Sequence, residues 1–287
     1  MNYLMLAGVA VGFAMSAAVL AQDPESEPRL VAVDTLLTAL PAFSGIDGSF
    51  TLATDELDDL DEPQDAAAAS NPLSSTSNLD IRLDYFDLDG SKDRFDINLR
   101  GGVMLHPRLK LAYEVHYWST NITGTTKDNW ERLVLRPIFF VDDVKLSERW
   151  GMRIATGVEL SIDADNADEG IGSGSDQIAP LFGLAFNNRE SKLTLIPFVQ
   201  HFLSYDGPSV NITAFRLIAL KPLPDSMWLR LDAKLPFDWA NDTVPASLEV
   251  ELGKMLGSWG VYGTGFFGIG GDRLYDWGVG TGIRFTF

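Results

Sequence analysis

The chain has 287 residues, 40 acidic against 22 basic side chains, a formal net charge of -18 and no cysteine. Without Cys there is no disulfide framework, no thiolate chemistry and little prospect of a structural zinc site. Nucleic acid is excluded as a partner, because its phosphates require stripes of Lys and Arg.

Residues 4–20 are almost unbroken apolar and end on Val19 and Leu20, with Ala21 before Gln22. Small residues at that boundary suit signal peptidase, so residues 1–21 are expected to be a cleaved secretory signal peptide. No Lys or Arg precedes the run, a departure from the usual pattern. A retained anchor would require roughly 20 apolar residues and a positive cytoplasmic flank. The run is short and the flank is missing. No later window approaches the roughly 18 consecutive apolar residues of a spanning helix, so any crossing must be made by strands.

Residues 22–78 hold twelve acidic residues and one basic residue, Arg29. The acidic run 55–62 and the Ala- and Ser-rich stretch 66–77 read as a solvated charge run and a flexible linker. The segment is expected to be an acidic N-terminal tail, with a plug inside the following domain, or a further pair of strands, as the alternatives.

From residue 79 the pattern changes to period two, with segments of the length a tilted transmembrane strand requires, about 9 to 11 residues. Leu79, Ile81, Leu83 and Tyr85 oppose Asp80, Arg82 and Asp84; Phe95, Ile97 and Leu99 oppose Asp96, Asn98 and Arg100. The turn between them carries Asp89 and Gly90, a hairpin signal. Further on, Leu109, Leu111, Tyr113, Val115 and Tyr117 oppose Lys110, Glu114 and His116, and Met227, Leu229, Leu231 and Leu235 oppose Arg230, Asp232 and Lys234. A slip of one residue would place all these charges in lipid. Strands are predicted at 79–88, 94–105, 108–120, 130–140, 150–161, 177–187, 192–203, 209–220, 227–236, 245–253, 259–268 and 275–287. The segments 130–140, 192–203 and 209–220 are weakly patterned, because Pro137 and Pro197 interrupt them and both faces are apolar in places. The count is therefore about twelve, with ten or fourteen as alternatives. The fold class is all-β, a transmembrane antiparallel up-and-down β-barrel over 79–287, in the outer membrane of a Gram-negative bacterium.

An even count returns both ends of the barrel to the periplasm. Turns near 106–107, 142–143, 187–188, 222–224 and 254–257 then become periplasmic, and 162–176 becomes the longest external loop. The last strand ends flush with the chain. Its residues Gly282, Phe285 and Phe287 fit the polar-Gly-x-x-aromatic-x-aromatic ending of bacterial outer-membrane barrels, and are expected to be the signal read by the barrel assembly machinery.

The face opposite the apolar one is expected to line a lumen with Arg82, Arg100, Glu114, Arg153, Glu159, Arg216, Arg230, Asp232, Lys234, Glu249, Glu251 and Arg284, joined by Asp80, Asp84, Asp96, Arg136 and Asp276. Interleaved signs serve either a polar channel or a lumen closed by ion pairs. Catalysis is not expected: His116 and Ser119 lie three apart, on opposite faces of one strand, and no nucleophile and base pair is visible. Asp163, Asp165, Asn166, Asp168 and Glu169 offer oxygens to calcium, but Ala167 breaks the EF-hand spacing, and a solvated acidic loop is the expectation. No metal or cofactor is expected. The glycines crowding the last two strands are read as sheet bending with rings such as Tyr262 and Phe266 lying over them, or as a loose wall through which an apolar substrate leaves sideways.

Gly157, Val158, Glu159, Leu160 and Ser161, followed by Gly170, Gly172, Gly174 and Asp176, resemble the glycine-rich stretch of outer-membrane transporters of the phenol meta-pathway type. Leu223, Pro224, Asp225, Trp228, Val244, Pro245, Gly253 and Lys254 are similar to that family's C-terminal half. Ser161, Ile162 and Asp163 stand where a Pro-Thr-Gly is usual. The resemblance, over about residues 150–287, implies uptake of hydrophobic compounds such as alkanes, aromatics or fatty acids. The expected function is outer-membrane transport of small, hydrophobic molecules, with a general polar porin or a closed structural or adhesion barrel as alternatives. The expected partners are membrane lipid, the assembly machinery and a small-molecule substrate, with the oligomeric state left open.

Overall fold

The computed structural model describes residues 68–287, so the expected signal peptide and the acidic stretch through residue 67 lie outside the described residues. Twelve strands follow: β1 (Asn78–Leu88), β2 (Lys92–His106), β3 (Leu109–Thr120), β4 (Lys127–Lys145), β5 (Trp150–Asp163), β6 (Asp176–Asn188), β7 (Thr194–Asp206), β8 (Asn211–Leu223), β9 (Met227–Asp238), β10 (Ala246–Met255), β11 (Trp259–Ile269) and β12 (Trp277–Thr286). Each pairs antiparallel with its sequence neighbours, and β1 pairs with β12 to close the barrel. Closure is what a hydrocarbon solvent demands. No water is there to satisfy a free strand edge, and a barrel has none.

The outer surface is apolar. Ile81, Leu83, Ile97, Leu99, Leu217, Leu231, Leu252, Val261 and Ile283 are all exposed. In water such a belt would be an aggregation surface; against lipid tails it is the stable arrangement. Aromatic girdles bound it. At one rim Tyr85 lies 5.9 Å from Trp277, Tyr117 5.3 Å from Trp130 and Phe237 6.1 Å from Trp239. At the other, Trp259, Phe285 and Phe287 are exposed. The protein is an outer-membrane barrel.

Asn78 pairs with Thr286, so both ends of the wall share one rim, the periplasmic one by the rule for even barrels. That rim also carries the turns 107–108, 146–149, 189–193, 224–226 and 256–258, while the opposite rim carries the longest loop, 164–175.

Two expectations require correction. Asp142 and Asp143 are not a turn: β4 runs through them to Lys145, and the turn follows at 146–149. The register skips Val141 between Phe140 and Asp142, a bulge that sets Asp143 opposite Arg153. Asp276 is not on the inner face. It precedes β12, in the loop, where it is bonded by Arg273.

The weakly patterned segments are strands after all, and the reason lies inside. Ile138, Phe140, Ala155, Leu181, Ala185, Ile196, Phe198, Ile218 and Leu220 form an apolar patch on the inner face of β4 to β8, packed around Leu73. Those strands meet lipid outside and Leu73 inside, so their alternation is blurred. Pro137 interrupts the β4–β5 pairing between Leu135 and Ile138 without ending the strand.

Candidate functional site

Residues 68–77 precede the wall and lie within the barrel. A short 3-10 turn, Ala68–Ser70, leads in, and Ser70, Asn71, Leu73 and Ser74 are buried. Leu73 fills the apolar patch, its methyl group lying against the Cα of Gly183, where an added Cβ would come within 2.8 Å of it. Polar groups of the wall hold the backbone of this plug. Lys110 Nζ donates to the Ser74 carbonyl at 3.1 Å and Arg153 Nη1 to the Leu73 carbonyl at 3.3 Å. Ser70 Oγ donates to Glu251 Oε1 at 2.8 Å and accepts from Arg284 Nη1.

Around the plug the inner wall is a lattice of ion pairs. Arg284 bonds Asp80 at 2.6 Å and approaches Glu251 at 3.4 Å; Arg82 bonds Asp84 at 2.7 Å and Glu249 at 3.2 Å. Arg230 reaches Glu249 at 2.9 Å and Glu251 at 3.5 Å and also bonds Asp232, which accepts from Arg216 Nε at 2.8 Å. Lys234 stands 3.4 Å from Glu249. Across the lumen Arg136 bonds Glu159 at 2.7 Å and Glu114 at 3.1 Å, Gln200 donates to Glu159 at 2.9 Å, and Arg153 bonds Asp143 at 2.8 Å. Arg100 is looser, with Nε 3.6 Å from Asp80 and Nη2 4.0 Å from Glu251. These charged side chains rise from the inner faces of their strands. The buried charges of this lattice stand beside counter-charges, as removal from water requires.

Other inner groups escaped the alternation. A register shift in β4 turns Glu131 inward beside Arg132. A bulge leaves no local signature in composition, so only a partner strand reveals it. Aromatic rings line the inside as well. Trp228 Nε1 donates to Glu251 at 2.7 Å and Tyr262 Oη to Asp80 at 3.2 Å, while the Arg284 guanidinium lies 4.8 Å from the Tyr262 ring. Arg94 lies 4.4 Å from the Phe86 ring and 4.2 Å from that of Trp118. The inward glycines make room for these rings: a Cβ at Gly253 would strike Trp228, one at Gly282 would strike Tyr262, and one at Gly278 would come within 2.8 Å of Phe86. Rings thus cover the inward glycines 253, 278 and 282.

His116 is held between Asp96 at 3.0 Å and Glu114 at 3.5 Å. At the end of β5, where the long loop begins, Asp163 accepts backbone N–H bonds from Asp165 at 2.9 Å and from Ser173 and Gly174 at 3.0 Å, which occupies its oxygens in shaping the loop. Between plug and wall remains a polar cavity, bounded by Ser70 and Asn71 on one side and by Arg100, Arg136, Arg216 and Arg284 on the other.

No family model matches the chain, and no curated protein matches it. Among solved structures it is similar to the NanC porin, with a TM-score of 0.54 and 13% identity over 73% of this chain and 100% of that one. It is also similar to an outer membrane channel from Pseudomonas putida F1, with a TM-score of 0.51 and 10% identity over 74% of this chain and 96% of that one. At these identities the likeness is one of fold, the outer-membrane barrel.

Proposed function

We propose that the protein is an outer-membrane channel for small polar solutes, closed at its periplasmic end by residues 68–77. The observation that carries this reading is the cavity between plug and wall, which is bounded by five arginines, Lys110, Asp80 and Glu114 of the wall and by Ser70 and Asn71 of the plug, with Ile138 among its few apolar neighbours. An alkane there would strip water from guanidinium and carboxylate groups and return no hydrogen bond. Uptake of hydrophobic compounds, implied by the resemblance to phenol meta-pathway transporters, is the second reading. The apolar patch around Leu73 favours it, because displacement of Leu73 would free an apolar surface. The rings over Gly278 and Gly282 weigh against a sideways exit through the last strands. We infer also that Gly282, Phe285 and Phe287 form the assembly signal, since both phenylalanines are exposed on the periplasmic rim.

The test is flux into liposomes carrying the refolded protein, with labelled arabinose and labelled hexadecane as solutes, for the wild type and Leu73→Asp. A charge at 73 unseats the plug from its apolar patch, so arabinose flux is expected to rise several-fold in the variant. Hexadecane entry without arabinose flux would replace the polar channel by the hydrophobic transporter. Absence of flux in both proteins would mark a closed, structural barrel.

A further inference from the structure

The cavity beside the plug also defines the charge of what enters it. We propose that it is a binding site for a small organic or inorganic anion, a carboxylate or a phosphate, with Arg100 as its principal ligand; this rests on the channel reading only in that the site lies on the lumen.

Guanidinium groups converge on the cavity from five strands: Arg100 on β2, Arg136 on β4, Arg216 on β8, Arg230 on β9 and Arg284 on β12. With Lys110 they bound it against two carboxylates, Asp80 and Glu114. The other acidic partners, Glu159, Asp232, Glu249 and Glu251, do not line it. Four of the five arginines are committed. Arg136, Arg216, Arg230 and Arg284 each bond a carboxylate at 3.1 Å or less.

Arg100 is different. Among the described residues it makes no hydrogen bond through its side chain, its contacts being the 3.6 Å and 4.0 Å approaches to Asp80 and Glu251. Those two carboxylates already serve other donors: Asp80 accepts from Arg284 and Tyr262, and Glu251 accepts from Trp228 and Ser70. The Arg100 side chain is 25% exposed, towards the cavity it bounds. A planar fork of donors, permanently charged and enclosed by a lipid-embedded wall, matches a carboxylate or phosphate oxygen pair. A neutral solute offers no charge to it, and a cation would meet the converged arginines.

The experiment is isothermal titration of the refolded full-length mature protein in detergent with sodium glucuronate, inorganic phosphate and glucose. Glucuronate and phosphate are expected to bind saturably and to weaken with added salt, while glucose does not bind. A preference between the first two assigns the site to carboxylate or to phosphate. Loss of a charged hydrogen bond in Arg100→Gln should weaken the anion roughly tenfold or more. Arg100→Lys, which keeps the charge and loses the fork, should fall between. Retained strand circular dichroism and heat-modifiable gel mobility establish that both variants are folded. Glucose binding as tightly as glucuronate, absence of binding by both anions, or unchanged affinity in folded Arg100→Gln overturns the site. The channel reading fails separately: anion binding without liposome flux leaves the site standing, and arabinose flux without anion binding leaves only the channel.

Discussion

Arg284 shows how much of the interior one side chain organises. Its guanidinium bonds Asp80 at 2.6 Å, approaches Glu251 at 3.4 Å, donates to the plug through Ser70 and lies 5.3 Å from the Trp228 ring. Removing one member of a buried pair strands the rest, at a cost of about 3 to 5 kcal/mol. Arg284→Met is therefore expected to lower stability by that order in urea titrations of the barrel in lipid vesicles, and Asp80→Asn added to it should recover part of the loss. An unchanged midpoint for Arg284→Met would show the lattice to be slack. That Arg284 faces inward was legible, because it lies on the small-residue side of the last strand. Its partner was not: Asp80 is 204 residues away, on a strand that only closure brings alongside.

At the scale of elements, β11 and β12 combine rings and glycines by face. Gly282 faces inward beneath Tyr262, and a Cβ there would meet the ring. Gly263 faces lipid, where the nearest atom to such a Cβ is a backbone oxygen 3.9 Å away. Overpacking typically costs about 1 to 3 kcal/mol. Gly282→Val should displace Tyr262 from Asp80 and lower the refolding yield and the urea midpoint, whereas Gly263→Val should leave both near wild type. Equal behaviour of the two would remove the packing explanation for the inward glycines. The parity of these strands could be read from residues, since neighbours in a strand always point to opposite faces. The bulges at Glu131 and Val141 could not. Each inserts a residue relative to a partner strand, and so Asp143, expected in a turn, pairs with Arg153 instead.

For the whole molecule, the proposed assembly signal and the proposed plug lie at opposite ends of the described chain. Phe285 and Phe287 face outward at the periplasmic rim, while residues 68–77 enter the lumen from the same rim. Removal of Phe287 is expected to reduce the heat-modifiable, folded band in outer-membrane fractions several-fold, with Thr286→Ala as the control. Equal folded fractions in both would dissociate the terminal residues from assembly. Gly282 is a weaker test of that signal, because its lack of a side chain already has a packing reason in Tyr262.

By itself the sequence determined an up-and-down barrel of about twelve strands and, wherever the alternation is clean, which side chains face lipid, because a period of two is a local property and each face must match its solvent. The tertiary structure decided which charges pair, where the ladder slips and what fills the lumen. Those depend on contacts between distant segments: Ser70 meets Glu251 across 181 residues, and Leu73 finds its patch on five strands, some with an alternation blurred in a way that does not say what packs against them. An Arg on the inner face must find an acceptor to leave water, and its sequence neighbours do not reveal which one. Arg100, left without a close acceptor once every other pair is formed, could be recognised only after the barrel had closed.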